Sequence, residues 1–136
     1  MARALAAGAA YVGIVFGLGF VLGTVRELVV VPRVGPLAAV LIEVPVMLAA
    51  SFAAARIVAR RFAVPDAAGP RLVMGGVAFV LLMAAETLTG FLLTGRSPGE
   101  QLAAYASPRE AIGLAAQIAF ALMPLVAGPR TAAPPR

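Results

Sequence analysis

Long apolar runs separated by short polar punctuation set the character of the chain. The runs cover 4–25 (continuing to 31), 36–55, 72–93 and 111–127. Each approaches the ~20 apolar residues that carry a helix across a bilayer. The punctuation marks where the helices stop. Pro32-Arg33-Val34-Gly35-Pro36 reads as a tight turn between the first two runs. Gly69-Pro70 opens the third helix, and Gly95 suits the position just past its end. Ser97-Pro98-Gly99-Glu100 and Ser107-Pro108-Arg109-Glu110 both match a capping box with proline at the first helical position. The first box starts a short helix at the membrane surface, and the second starts the fourth spanning helix. The pattern therefore predicts spanning helices over 4–31, 36–61, 70–94 and 108–127, with an interfacial helix over 98–105. The expected fold is an all-α, polytopic four-transmembrane-helix bundle forming one domain over 1–127, followed by a disordered tail over 128–136. The first run begins like a signal peptide, with Arg3 ahead of it, but it is too long and lacks a cleavage site, so it is read as retained.

Composition agrees with lipid. The 136 residues are 62% hydrophobic and 12% charged, with a mean hydropathy of +0.99. Cysteine and histidine are absent, which removes disulfides, thiol chemistry, imidazole haem ligation and the usual zinc sites. No run resembles a calcium or magnesium loop, so no cofactor or metal is expected. The net charge of +5 comes wholly from arginine. Because these arginines sit at the ends of apolar runs, they point to membrane orientation and anionic lipid head groups rather than nucleic acid.

Counting them gives a topology. Arg3, Arg56, Arg60, Arg61, Arg71, Arg130 and Arg136 fall on one side, and Arg26, Arg33, Arg96 and Arg109 on the other. Positive charge favours the cytoplasm, so both termini are expected there. Arg56, Arg60, Arg61 and Arg71 read as anchors at the cytoplasmic membrane surface.

Depth singles out a polar layer. Glu43 and Glu86 each lie about 10 Å inside the non-cytoplasmic boundary, Gln117 about 10–14 Å, and Arg26 about 7–8 Å, at 1.5 Å per residue. Each helix thus gives one strongly polar residue to the layer. Small residues share those faces: Gly8, Gly19 and Gly23 with Arg26, and Gly75 and Gly90 with Glu86. The layer is expected to pair Arg26 with Glu43, Glu86 or both, with Gln117 and Thr89 completing the hydrogen bonds. Pro45 and Pro124 kink their helices and free a carbonyl each, read as tolerated curvature. Gly13 and Gly17 lie on a different face of helix one, where they suit a homodimer contact or ordinary packing.

Two uses of the layer compete. One is an interhelical clamp that fixes register. The other is a proton- or cation-coupled site in which Glu43 and Glu86 share one arginine. The segments Gly19 to Arg26, Pro32 to Gly35, Ala39 to Pro45, Arg60 to Pro65 and Arg71 to Glu86 resemble a group of small bacterial inner-membrane proteins without assigned activity. That resemblance implies four spanning helices and a bacterial inner membrane. Small multidrug exporters share the size but carry their essential glutamate in helix one and use tryptophan; this chain has no tryptophan and no mid-depth glutamate there. The leading expectation is a non-enzymatic structural or accessory membrane protein, working as a homo-oligomer or beside a partner membrane protein. The alternative is an oligomeric proton- or cation-coupled transporter or channel using Glu43 and Glu86. A dimer or larger ring is expected in that case, since four short helices are read as enclosing little space.

Overall fold

A computed structural model describes residues 1–128. It holds four helices long and apolar enough to cross a membrane: α1 (Ala2–Val34), α2 (Pro36–Arg61), α3 (Ala68–Thr94) and α5 (Pro108–Val126). The short helix α4 (Pro98–Ala104) lies between the last two. The architecture is all-α, and the described residues include no strand. The tail expected over 128–136 lies, from residue 129 onward, outside the described residues.

The first turn is shorter than the sequence suggests. Helix α1 does not stop at 31 but runs on to Val34, through a wide π-type turn over Arg26–Val30. Pro32 has no N–H to continue the ladder, and its ring would press on the carbonyl four residues earlier. The wider turn absorbs that conflict, with the Val31 N–H reaching back to the Arg26 carbonyl. Only Gly35 then separates α1 from α2, at φ 85°, where a Cβ would strain the backbone. At the other end, Gly95 stops α3 at φ 68°, its N–H bonded to the Phe91 carbonyl at 3.0 Å. Both predicted serine caps form: Ser97 Oγ accepts from the Glu100 N–H at 3.2 Å and Ser107 Oγ from the Glu110 N–H at 3.4 Å.

The spanning helices form a ring in the order α1–α2–α5–α3. Consecutive helices α2 and α3 therefore face each other across the bundle. Their connection crosses one end of it, burying Val64 beside the end that also buries Ala127. That end, which includes the N-terminus, is closely packed. Its core consists of small residues such as Ala4, Ala7, Ala55, Ala59 and Ala78, filled out by Met74. Two glycines set the spacing. A Cβ on Gly8 would meet the Met74 carbonyl oxygen at 2.7 Å, and one on Gly75 would collide with the Ala121 carbonyl oxygen. Backbones approach this closely only where no side chain intervenes.

Candidate functional site

Beyond this tight half the bundle opens. A cavity of about 610 Å³ occupies the half farther from the N-terminus, lined by all four spanning helices and by Gln101 and Tyr105 within or next to α4. The expectation that a single four-helix bundle encloses little space is thereby corrected. Its wall combines small residues, Gly19, Gly23, Gly113 and Ala116, which leave room, with long polar side chains that reach between neighbouring helices.

The four residues predicted to share a depth all line this cavity. They form two pairs rather than one cluster. Arg26 Nη1 donates to Glu43 Oε2 at 2.8 Å, joining α1 to α2. Gln117 Nε2 donates to both Glu86 carboxylate oxygens at 2.6 Å, joining α5 to α3. Among the described residues no hydrogen bond or ion pair connects Arg26 to Glu86. The ring order explains the split, because each pair bridges helices that pack side by side. Thr89 lines the cavity but does not complete the network; its hydroxyl donates to the Ala85 carbonyl one turn back at 2.7 Å.

The mouth carries a second ionic layer that depth counting missed. Arg26 Nε also reaches Glu27 Oε1 at 3.2 Å, and Glu27 pairs with Arg109 at the start of α5. This last bridge spans opposite helices of the ring. Tyr105 leans on Met83, its hydroxyl 3.8 Å from the sulfur, and Arg96 donates to Gln101 at 3.2 Å. These two contacts hold α4 against the rim.

The floor includes Phe120, which Tyr11 backs from the closed half. Their rings stack at a centroid distance of 4.5 Å across the bundle. Tyr11 is fully buried and its hydroxyl donates to the Phe120 carbonyl at 2.9 Å. That carbonyl would ordinarily accept from the N–H of residue 124, but Pro124 has none. The proline read as mere curvature thus creates an acceptor that Tyr11 fills. The clue available in the sequence was a tyrosine hydroxyl within an otherwise apolar run, which needs a partner in lipid.

Of the four predicted surface anchors, Arg56, Arg60 and Arg61 are exposed at the closed end of the bundle. Arg71 is not an exposed anchor. It is 5% exposed, donates to the Pro124 carbonyl at 3.3 Å and lies 3.7 Å from Asp66. The final turn of α5 leaves carbonyls without helical donors, and the negative end of its dipole attracts a guanidinium. Arg71, one turn into α3, is placed to meet both needs. These contacts place the α2–α3 connection and the end of α5 at one end of the bundle, the end where Gly8 near the start of α1 meets Met74.

Chemically, the site is an apolar chamber closed at one end, with a carboxylate–amide pair and an ion pair on its wall and charges at its mouth. Comparison with protein-family models, with curated proteins and with solved structures finds no match to this chain.

Proposed function

We propose that this chain is a small non-enzymatic inner-membrane protein of bacterial type that holds a ligand in a one-sided vestibule. The observation that carries the reading is the cavity of about 610 Å³, apolar on most of its wall with few convergent polar groups. Small-molecule sites share that construction and size range, roughly 300–1,000 Å³. The polar groups are already engaged in pairs, an arrangement suited to orienting a bound molecule. The exposed arginines Arg3, Arg56, Arg60 and Arg61 favour the closed end as the cytoplasmic one. Both termini are then cytoplasmic, and the vestibule faces outward. The accessory role follows: the protein acts as a binding subunit, as a homo-oligomer or beside a partner membrane protein, with anionic head groups at its arginine-rich end.

The absence of cysteine allows a direct test. Thr89→Cys places a thiol on the vestibule wall, and Arg60→Cys places one at the closed end. A membrane-impermeant maleimide applied to sealed inner-membrane vesicles and to intact cells should reach the two from opposite sides. Labelling of the vestibule thiol only from the side that labels the closed-end thiol would overturn the reading.

One observation favours transport as a second reading. The floor rests on a ring stack and one hydrogen bond at a proline, a weak point of α5, although inward opening would also have to part the Gly8–Met74 and Gly75–Ala121 contacts below it. Glu43 and Glu86 would then lie on a path. Reconstituted protein should move protons, cations or a small solute, and Glu43→Gln or Glu86→Gln should abolish the flux. Flux unchanged in both variants removes this reading.

A further inference from the structure

The charges on the vestibule wall do not balance. Six charged side chains line it: Arg26, Glu27, Glu43, Glu86, Arg109 and Glu110. Arg26 is shared by Glu43 and Glu27, and Arg109 is bound to Glu27. Glu110 lies in the first turn of α5, where the helix dipole favours a carboxylate. Glu86 has no such compensation. Among the described residues its hydrogen-bond partner is the neutral amide of Gln117, and no arginine reaches it. A carboxylate at this depth costs roughly 2.5–3.5 kcal/mol to insert unless something satisfies it.

The orientation of the amide follows from this contact. Gln117 turns its Nε2 donor toward the carboxylate, which leaves Oε1 buried and without a hydrogen-bond donor. The carboxylate that faces the chamber without a cationic partner is therefore Glu86, and the amide that orients it has no donor of its own to spare beyond Nε2. Phe16, Met47 and Leu82 give the same chamber apolar surface.

We propose that the vestibule takes an amphipathic ammonium, its N–H donors meeting the Glu86 carboxylate and its apolar body lying along the chamber wall. This rests on the vestibule reading above and names the ligand class. The N–H groups matter as well as the charge, because a quaternary ammonium has no hydrogen bond to give the Glu86 carboxylate. The ammonium can belong to a free lipophilic amine or to a lipid head group bearing a primary amine.

The test uses the full chain carrying Thr89→Cys, in phosphatidylcholine nanodiscs, with protection of the thiol from maleimide as readout. Dodecylammonium should protect at a concentration about tenfold or more below that of neutral dodecanol, the equivalent of one charge-assisted hydrogen bond. Dodecyltrimethylammonium should fall between them, and dodecyl sulfate should be weakest. Adding Glu86→Gln should erase the advantage of the amine, with melting temperature checked to show the bundle intact. Equal protection by amine, alcohol and sulfate overturns the ammonium assignment while leaving the vestibule standing. Protection by none of them overturns both. In the absence of free amine, protection on replacing phosphatidylcholine by phosphatidylethanolamine identifies the lipid as the source. Protection by dodecylammonium alone identifies a free amine.

Discussion

Tyr11→Phe is the most informative single change, because it removes one hydrogen bond and leaves the packing. The ring stack on Phe120 survives in phenylalanine. What disappears is the 2.9 Å bond to the Phe120 carbonyl. Ordinarily a lost donor inside a membrane bundle costs little, about 0.6 kcal/mol on average, since a helix in lipid keeps its own backbone bonds and polar groups find other partners. The Phe120 carbonyl is different. Pro124 denies it an in-helix donor in the separated helix and in the bundle alike, so the tyrosine bond is a net gain on assembly. The cost should therefore lie above that average, at about 1–1.5 kcal/mol.

Tyr11 and Pro124 should also be energetically coupled. Pro124→Ala restores an N–H that bonds the Phe120 carbonyl within α5, making the tyrosine bond redundant. Tyr11→Phe should then cost less in the Pro124→Ala background, with a coupling energy of about 0.5–1 kcal/mol. Pro124 is itself fully buried, so its replacement has a separate packing cost, which the double-mutant cycle cancels. Equilibrium unfolding in mixed micelles at rising sodium dodecyl sulfate fraction measures all four proteins. If the Tyr11→Phe cost is the same in both backgrounds to within about 0.3 kcal/mol, the two residues act independently and the account of the floor is wrong.

Three further outcomes are expected. Gly75→Ala should destabilise the bundle by about 1–3 kcal/mol, since the added methyl meets the Ala121 carbonyl of a backbone that cannot yield alone; Gly13→Ala, with open space around it, should be neutral or slightly stabilising in the same micelle assay. Arg71→Met should cost about 1–2 kcal/mol by uncapping the end of α5, seen as faster amide exchange over the last turn of that helix. Hydrogen bonds from Ser97, the backbone N–H foremost, hold the Glu100 carboxyl below the usual glutamate range. Its folded value being depressed, the α4 cap is complete above the unfolded glutamate's titration and is lost as pH falls through the folded value. Chemical-shift titration of Glu100 checks this, and a normal glutamate midpoint would refute it.

Depth along a helix was legible in the sequence, because the 1.5 Å rise is nearly invariant and needs no tertiary knowledge. Counting from Gly35 and from the Ser107 cap is enough to place Glu43 and Gln117 at similar depth. Which side chains pair was not legible. Pairing depends on the order of helices around the ring, and α2 and α3, consecutive in sequence, stand on opposite sides of it. Glu86 consequently meets Gln117 and not Arg26. Arg71 eluded the arginine count for a related reason: its burial depends on where α5 ends, a coincidence of two helices distant in the chain. The Tyr11–Phe120 bond is the instructive omission. Both halves of its cause, a proline and a tyrosine, were visible, but only the diagonal approach of α1 to α5 brings them together.

The contrast between the two halves of the bundle follows from what lipid does and does not supply. Hydrocarbon gives helices no hydrophobic reason to associate, so contact depends on close packing or on polar pairing. The closed half uses packing: Gly8 and Gly75 bring α1, α3 and α5 together through backbone contact. The open half uses pairing, through Arg26–Glu43 and Gln117–Glu86. Pairing by long side chains does not require close backbone approach, and the open half accordingly encloses the chamber. A chamber of about 610 Å³ lined largely by apolar side chains, with ionisable groups at its mouth, matches a molecule that is itself part apolar and part charged. The proposed ammonium fits both features, its apolar body along the wall and its charged end at Glu86. The tight half is then the anchor that lets the open half stay open, and Tyr11 on Phe120 marks the boundary between them.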